Sequence, residues 1–533
     1  MGPNQLLQVA AWLSFATACH TAAVPRSAET PQVVLPQGTF RGFLDSHNNS
    51  VYLGVPYAQT TAGRNRWRAP QDISKPKDKD SAVANATSYG PTCPQAISSE
   101  YYSRQDEDCL NLNIWAPSTG TKLPVFVYMY GGAMVTGSSS NPQLQGNNFA
   151  RKGVIYVTFN TRESIWASPN SAELQKKSKS QNFSILDVEK ALDWIHHNID
   201  SFGGDPSHIV FGGHSSGSVQ VDHYLWNHPD SWLKGAVQMS GNAISGPAYA
   251  PTNVGLDVVA AEVGCGTGSG QLECLRNVSI YDIQTSYFNS TANTWFTPVI
   301  DDITRFSDYA ARFSTGEYAS HVPLLTGNSN GEGTVFSVVY SAENGDFNAW
   351  INTFDADSAH IPDDVLTTAY NLSDFASESL MSGTQYGDAR FNCPVDYFVD
   401  LRSEKQATWE YRFFGQYDNV VGLPGTAPTH GTEVPFFLGG NECFEKLSNV
   451  TEEQQALADA INDWFVEWIK NPLAGPGWEQ VKPTAGPLVK LGIPGDELSL
   501  VRGCTSEHNG RCQSAYKPYF PDYPVVQSPV QSS

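Results

Sequence analysis

The sequence predicts an α/β fold in which a large, mostly parallel central sheet is flanked by helices within a single domain. Three short apolar runs have the composition of strands that are buried on both faces: residues 125–130, 154–159 and 208–211. Segments with helical periodicity lie between and after these runs, and strands that alternate with helices are typical of a parallel sheet. No linker-like stretch separates the elements, which favours one domain over several.

Two segments place apolar residues at helical spacing. The first covers residues 184–200, and Ser184 is its predicted N-cap. The second covers residues 451–470, where Thr451 and Gln454 have the spacing of a capping box. The apolar positions are Ile185, Val188, Leu192, Ile195 and Ile199 in the first helix, and Leu457, Ile461, Trp464, Phe465 and Trp468 in the second.

The charge balance excludes one large class of partner. The chain of 533 residues carries 54 acidic and 32 basic side chains, which gives a formal net charge of −22. A nucleic-acid-binding surface needs basic residues to neutralise phosphates, so we expect no nucleic-acid partner. Apolar residues make up 40% of the chain, and this share predicts a large buried core rather than a disordered acidic segment.

The N-terminus has the pattern of a secretory signal peptide. Residues 6–18 form an apolar stretch that is shorter than the ~20 residues of a membrane-spanning helix and ends in the small-x-small pattern Ala-Thr-Ala. We predict a signal peptide over residues 1–18, cut there or as late as about residue 23. The folded domain should then cover residues 24–519 and a disordered tail residues 520–533. No later stretch is long and apolar enough for a membrane helix, so a secreted protein without stable membrane insertion is expected.

Cysteine usage agrees with export. When Cys19 leaves with the signal peptide, an even set of cysteines remains, which predicts disulfides in an exported chain. Their connectivity stays open, although pairing of sequence neighbours is favoured because most such pairs are close in sequence. No CxxC or paired His–Cys spacing supports a metal site. The predicted disulfide cysteines are Cys93, Cys109, Cys265, Cys274, Cys393, Cys443, Cys504 and Cys512.

Seven N-x-S/T sequons predict glycosylation of an exported chain at one or more positions. The candidate asparagines are Asn48, Asn85, Asn182, Asn277, Asn289, Asn371 and Asn449.

A nucleophile motif follows the third predicted strand. Residues 213–217 (GHSSG) fit G-x-S-x-G, and the segment after them can start a helix. The turn from strand to helix is so tight that side chains at Gly213 and Gly217 would collide, and it lifts the hydroxyl of Ser215 clear of the sheet. A serine needs a base that is oriented by a carboxylate, in the chain order Ser, Asp or Glu, His. With 12 histidines and many acids present, the residues alone leave several candidate partners.

Four further motifs carry a family resemblance. They lie at residues 52–58 (YLGVPYA), 107–113 (EDCLNLN), 198–206 (NIDSFGGDP) and 239–241 (MSG). The chain resembles the type-B carboxylesterase/lipase family, the cholinesterase-like branch of the α/β-hydrolases, in its secreted, fungal-type form. The resemblance covers most of the chain and implies an α/β-hydrolase fold.

The resemblance implies a catalytic triad. Ser215 matches the nucleophile of the family. Residues 327–333 (GNSNGEG) resemble its G-x-x-x-x-E-G, which makes Glu332 the acid, and residues 429–437 (THGTEVPFF) resemble its H-G-x-E-x-x-x-F, which makes His430 the base. The resulting order of Ser215, Glu332 and His430 agrees with the order expected for the fold.

Two positions depart from the family pattern. His214 stands before the nucleophile, where the family usually has Glu. Residues 130–134 (YGGAM) replace H/Y-G-G-G-F in the loop that supplies the oxyanion hole. The implied donors are the backbone N–H groups of Gly132, Ala133 and Ser216, and alanine keeps its N–H provided that its φ is compatible. The resemblance also implies two buried ion pairs, Arg66 with Glu107 and Arg162 with Asp187.

These expectations favour a secreted serine hydrolase that cleaves small-molecule carboxylic esters through an acyl-enzyme, with no metal or organic cofactor. The same machinery could perform transesterification or lactone chemistry in a biosynthetic pathway, or act as a lipase. A non-catalytic, neuroligin-like binding protein is the alternative from another class, although such relatives typically lose triad members.

Overall fold

The structure is a computed structural model that describes residues 30–74, 83–95, 104–177, 180–245, 254–289, 296–337, 347, 350–351, 358, 360–421, 428–439, 447, 449–482 and 486–520. The predicted signal peptide, Cys443 and residues 521–533 lie outside the described residues.

Strands and helices alternate along most of the described chain. The strands are β1 (Gln32–Leu35), β2 (Gly38–Arg41), β3 (Phe43–Leu44), β4 (Ser50–Pro56), β5 (Ala84–Asn85), β6 (Asn111–Ala116), β7 (Leu123–Met129), β8 (Ile155–Phe159), β9 (Gly204–His214), β10 (Gly235–Met239), β11 (Leu324–Ser329), β12 (Thr408–Phe413), β13 (Pro487–Leu491) and β14 (Val501–Cys504). The α-helices are α1 (Asn147–Arg151), α2 (Ser164–Ala167), α3 (Ala172–Lys177), α4 (Phe183–Asn198), α5 (Ser216–Asn227), α6 (Val254–Glu262), α7 (Gln271–Arg276), α8 (Ile280–Asn289), α9 (Tyr309–Ser314), α10 (Thr334–Ser337), α11 (Asp363–Ala369), α12 (Glu378–Gly387), α13 (Cys393–Arg402), α14 (Asp418–Val421), α15 (Val434–Phe437) and α16 (Glu452–Lys470). Two short π-helices cover Asp388–Asn392 and Cys512–Tyr516.

Within the described ranges, 11 strands form one sheet in the order β14-β13-β12-β11-β10-β9-β7-β8-β6-β4-β3. The strands from β13 through β8 in this order are parallel, and antiparallel pairs complete both edges. The predicted mostly parallel sheet is therefore confirmed, with β7, β8 and β9 at the three apolar runs. Because the carboxyl ends of parallel strands share one edge, the loops after β7, β9, β10 and β11 meet there.

Both predicted helices form, but their caps differ from the prediction in part. Helix α4 begins at Phe183 and its N-cap is Asn182, not Ser184. Helix α16 has Thr451 as its N-cap, and Thr451 accepts the backbone N–H of Gln454 at 3.1 Å. The Gln454 side chain does not complete the box, because it exchanges hydrogen bonds with Asn419.

Three disulfides join described cysteines: Cys93–Cys109, Cys265–Cys274 and Cys393–Cys512. The first two are sequence neighbours, as favoured. The other two neighbouring pairs, Cys393–Cys443 and Cys504–Cys512, do not form, because Cys393 is bonded to Cys512. The predicted disulfide at Cys504 is wrong, since Cys504 is free. The reason is tertiary: Cys393 and Cys512 lie in one buried apolar cluster with Phe336, Met381 and Phe391.

The candidate glycosylation sites separate by burial. Asn182 is fully buried, and its amide donates to Val299 O at 2.8 Å and Thr304 Oγ1 at 2.9 Å. A glycan on Nδ2 of Asn182 would have no room in this buried site and would break at least one of these bonds, so the fold contradicts that candidate. Phe520 is buried and therefore belongs to the folded chain, which contradicts its assignment to the predicted disordered tail. The exposed candidates are Asn48, Asn85, Asn277, Asn371 and Asn449.

Both expected ion pairs form inside the protein. Arg66 Nε and Nη2 donate to the two carboxylate oxygens of Glu107, each at 2.6 Å. Arg162 Nε and Nη2 donate to Asp187 at 2.8 and 2.6 Å. The bidentate geometry satisfies the buried charges, which makes removal of one partner costly.

Glu410 on β12 is a buried carboxyl group without such a partner. It is 1% exposed, and its Oε2 has no hydrogen bond to the described residues. Burial chiefly, together with the negative charge of Asp396, raises its pKa from 4.5 to about 8. Glu410 is therefore expected to be neutral at neutral pH.

We expect Glu410→Gln to flatten the pH dependence of stability. The folded-state pKa of Glu410 exceeds its ordinary value. Its contribution to the free energy of unfolding is therefore complete below pH 4.5 and is lost as pH rises towards about 8. The variant should be more stable than the wild type at the upper end of this range, by on the order of a few kcal/mol. Thermal unfolding across this pH range measures the difference in stability. Parallel plots of stability against pH for the two proteins would contradict the raised pKa of Glu410.

Candidate active site

Ser215 lies in a strained turn between β9 and α5. Its backbone has φ 56° and ψ −126°, and its N–H donates to Met239 O at 2.8 Å. A Cβ on Gly213 would lie 2.5 Å from the carbonyl carbon of Gly217, and one on Gly217 would lie 2.3 Å from Met129 O. The two glycines are thus required by close backbone approach, as the motif predicted. Ser216 begins helix α5, so its N–H is one of the unpaired donors at that end.

The loop after β7 packs directly on this turn. A Cβ on Gly131 would lie 2.8 Å from Ser215 Cβ, so the loop and the nucleophile turn are in contact. Gly132 has φ 139°, and Ala133 and Met134 have φ 57° and 60°. Alanine at position 133 therefore adopts the left-handed conformation that the missing glycine would have accepted freely, at a cost of about 1 kcal/mol.

A buried hydrogen bond network holds the start of this loop. Tyr130 Oη donates to Glu163 Oε1 at 2.9 Å and accepts the N–H of Thr161 at 3.2 Å. Ser164 N–H donates to Met134 O at 2.8 Å, which ties the far end of the loop to the same segment. Burial raises the pKa of Glu163 well above its ordinary range.

The structure brings Glu332 and His430 together. Glu332 follows β11, and its Oε2 lies 2.5 Å from Nδ1 of His430. Both side chains are buried. Nε2 of His430 has no hydrogen-bond partner among the described residues, which leaves it free to accept a proton.

His430 also lies beside the nucleophile turn. The centre of its ring is 4.5 Å from that of His214, the residue before Ser215. The ring of His430 also packs against Phe391 and Phe336, with ring centres 4.2 and 5.5 Å away. These aromatic contacts restrict the imidazole and exclude water from it.

The electrostatics suit a neutral base. Burial lowers the pKa of His430. Burial and the charge that His430 would carry lower the pKa of His214 to about 3. Burial raises the pKa of Glu332, opposed by hydrogen bonds from Ser240 Oγ at 2.6 Å and from Ser329 N–H at 2.7 Å. At neutral pH the ring of His430 is therefore uncharged and able to take up a proton.

Three buried residues at the site were not assigned a role from the sequence. Glu433 accepts Ser329 Oγ–H at 2.6 Å and contacts Ser240 Oγ at 2.9 Å. Glu433 and Ser240 both fall inside motifs that carry the family resemblance, so a signal for them existed. Phe391 had no signal, because it reaches His430 from a π-helix that no local pattern predicts.

The predicted oxyanion-hole donors are on the loop after β7 and at the start of α5. Gly132, Ala133 and Ser216 lie on the two segments that meet at Ser215. Among the residues that the structure describes, no group of three or more His, Cys, Asp or Glu side chains is arranged to hold a metal ion. No helix in the same part of the chain is long and apolar enough to cross a membrane.

Comparisons with known proteins identify the family of the chain. The model of the carboxylesterase family matches residues 29–503. The chain is 26% identical to secreted lipase 5 of Gibberella zeae (85% of this chain, 89% of that protein) and 29% identical to para-nitrobenzyl esterase of Bacillus subtilis (83% and 90%). It is 27% identical to chlorogenic acid esterase of Aspergillus niger (82% of each chain).

A solved structure of PNB esterase superposes with a TM-score of 0.75 at 24% identity, covering 91% of this chain and 100% of that one. This likeness shows the α/β-hydrolase fold. The family model spans most of the chain, so the protein belongs to the carboxylesterase family and is a carboxylic ester hydrolase that acts on small-molecule esters.

Proposed function

We propose that the chain is a secreted serine esterase in which Ser215, His430 and Glu332 form the catalytic triad. The observation that carries the proposal is the buried pair of Glu332 and His430, 2.5 Å apart. Nε2 of His430 has no hydrogen-bond partner among the described residues, and the imidazole ring lies beside the strained turn of Ser215. A neutral imidazole with one ring nitrogen held by a carboxylate is the arrangement that a general base requires.

The mechanism follows from these positions. His430 Nε2 removes the proton of Ser215 Oγ as that oxygen attacks the ester carbonyl, and the carbonyl oxygen becomes negative. The N–H groups of Gly132, Ala133 and Ser216 stabilise this oxyanion. The tetrahedral intermediate expels the alcohol, which takes the proton from His430. Water, activated by the same ring, then hydrolyses the acyl-enzyme.

A fluorophosphonate probe tests the nucleophile. The reagent should label the protein once, and mass spectrometry should place the adduct on the peptide that contains Ser215. Absence of labelling in folded protein would favour a non-catalytic binding protein on the same scaffold.

Export is also part of the proposal. Three disulfides among the described cysteines favour an oxidising compartment. The relatives from Gibberella zeae and Aspergillus niger support a fungal-type member, and the first of them is named a secreted protein. We assign the signal peptide to residues 1–18, cut there or as late as about residue 23, and glycans to the exposed sequons.

We expect choline esters to be poor substrates. His214 stands where the resemblance implies Glu, and burial keeps its ring neutral, so no anion is supplied at this position to attract a cationic alcohol. In addition, no tryptophan lies between Cys93 and Cys109 to stack on a quaternary ammonium. The measurement is kcat/KM for a choline ester and for its uncharged isostere, and a higher value for the choline ester would refute the expectation.

We also expect no interfacial activation. Cys93 and Cys109 close a loop whose interior, residues 94–108, has Ala96 and Ile97 as its only aliphatic side chains; residues 96–103 lie outside the described residues. A lid gains roughly 25 cal/mol per Å² of apolar area buried against lipid, and this loop is too short and too polar to gain much. The rate on a sparingly soluble ester should therefore change smoothly across its solubility limit. A sharp rise as droplets form would favour a lipase.

A further inference from the structure

One serine hydroxyl joins two buried glutamates next to His430. Ser240 Oγ lies 2.6 Å from Glu332 Oε1 and 2.9 Å from Glu433 Oε1. A hydroxyl carries one proton, so it can donate to only one of two carboxyl groups. The other contact is a hydrogen bond only if that carboxyl group is protonated and donates to Ser240 Oγ.

The neighbouring donors decide which glutamate carries the proton. Glu332 accepts the N–H of Ser329 at 2.7 Å, and this backbone group cannot accept in return. Its Oε2 faces Nδ1 of His430 at 2.5 Å, and the tautomer that leaves Nε2 as the base has an N–H at Nδ1, which also donates to Glu332. Both contacts of Glu433 are to hydroxyls, those of Ser240 and Ser329, which can donate or accept. With Glu332 ionised and Glu433 neutral every contact is a hydrogen bond, whereas the reverse assignment would require the protonated oxygen of Glu332, a poor acceptor, to accept the N–H of Ser329 as well.

We propose that Glu433 is a neutral carboxylic acid that positions the Glu332–His430 pair through Ser240; this inference rests on the proposed function. Glu433 donates from Oε1 to Ser240 Oγ, and Ser240 in turn donates to Glu332. The chain of hydrogen bonds fixes the Glu332 carboxylate with Oε2 towards Nδ1 of His430, which holds the proton on Nδ1 and leaves Nε2 as the base. Glu433 does not touch the reacting atoms, so it is a positioning residue.

Burial and charge around Glu433 favour the same state. Its side chain is fully buried. Burial raises its pKa and the negative charge of Glu332 adds to this, whereas a positive charge on His214, were it protonated, and the hydrogen bond from Ser329 oppose it. Two nearby phenols, Tyr128 and Tyr411, have pKa values raised above 10 by burial, so neither adds charge.

His214 does not supply a counter-charge. Its Nε2 lies 4.0 Å from Glu433 Oε1, too far for a hydrogen bond, and has no other partner among the described residues. Burial and the neighbouring His430 keep the ring of His214 neutral. An ion pair of His214 with Glu433 would place two desolvated charges together without a hydrogen bond, an arrangement that seldom repays its desolvation.

Two substitutions separate a neutral acid from a carboxylate. In Glu433→Gln the amide NH₂ can donate to Ser240 Oγ and the amide oxygen can accept from Ser329, which reproduces both contacts of the acid. In Glu433→Met a side chain of similar length offers neither. Glu410→Gln is the matched control, since Glu410 is an equally buried glutamate on β12 with a raised pKa and no contact with His430.

Kinetics and infrared spectra test the inference together. We expect E433Q to retain kcat/KM within about threefold and to keep the acid limb of its pH profile, because that limb reports the base of the free enzyme. E433M should lose about 10²-fold through misplacement of the base. The wild-type infrared spectrum should contain a carboxylic-acid C=O band that E433Q lacks, while E410Q removes a different band and leaves the pH profile unchanged.

Three outcomes would overturn the inference. A loss in E433Q as large as in E433M, or an acid limb moved to lower pH in E433Q, would show that Glu433 is an anion. Full activity of E433M would show that Glu433 positions nothing. If E433M does not fold, the kinetics of E433Q and the infrared band still show whether Glu433 is protonated. An inactive wild type that retains the band would overturn the proposed function and not the protonation of Glu433.

Discussion

Ser215→Ala is expected to abolish ester hydrolysis while the protein stays folded. Removal of a catalytic nucleophile of this type costs on the order of 10⁶ in kcat, because neither the oxyanion hole nor substrate binding replaces the covalent step. The backbone N–H of Ser215 keeps its bond to Met239 O, and alanine adopts a positive φ at position 133 in the same protein. The turn should therefore persist.

The measurement is kcat for a simple aryl ester, together with thermal unfolding and fluorophosphonate labelling. Ser218→Ala is a matched control, because Ser218 is a buried serine three residues further on, in α5, whose hydroxyl donates to Gly241 O at 2.6 Å. It should lose some stability, about 1 kcal/mol, and keep its activity. Activity of S215A within about tenfold of the wild type would remove Ser215 from the mechanism.

Local patterns predicted the parts of the fold that depend on local chemistry. The apolar runs predicted β7, β8 and β9 because a strand buried on both faces must be apolar throughout. The glycines around Ser215 were predicted from the tightness of the turn, and backbone atoms within 2.5 Å of each added Cβ bear this out. Such features need no knowledge of distant residues.

Several wrong predictions involve partners that are distant in sequence. The sequon at Asn182 cannot carry a glycan because that side chain bonds to residues more than 100 positions away. The disulfide of Cys393 goes to Cys512, 119 positions further along the chain. Spacing along the chain contains no information on contacts of this kind.

The candidate site shows the same division. The resemblance supplied Glu332 and His430, whose 2.5 Å contact no spacing rule predicts. It did not reveal that Ser240 joins Glu332 to Glu433, since a motif names residue types and not the direction of their hydrogen bonds. The protonation of Glu433 follows only from the complete set of donors around it.

Glu332→Gln is expected to reduce kcat by about 10⁴-fold, the scale seen when a triad acid loses its charge. The contacts of Glu332 explain why the loss should be so large. Oε1 receives two donors, Ser240 Oγ–H and Ser329 N–H, so the amide oxygen of glutamine must occupy that position. The amide NH₂ then faces Nδ1 of His430 and donates to it.

This donation inverts the tautomer of the base. With a donor at Nδ1, the proton of neutral His430 moves to Nε2, which can then no longer accept the proton of Ser215. The imidazolium formed during acylation would also lack its compensating charge. Asp301→Asn is the control acid, because Asp301 organises a loop through the N–H groups of Ile303, Thr304 and Arg305, and asparagine keeps an oxygen for those bonds. We expect kcat for an aryl ester to fall in E332Q and to stay within about tenfold of the wild type in D301N. A larger loss in D301N than in E332Q would mean that Glu332 is not the acid that orients the base.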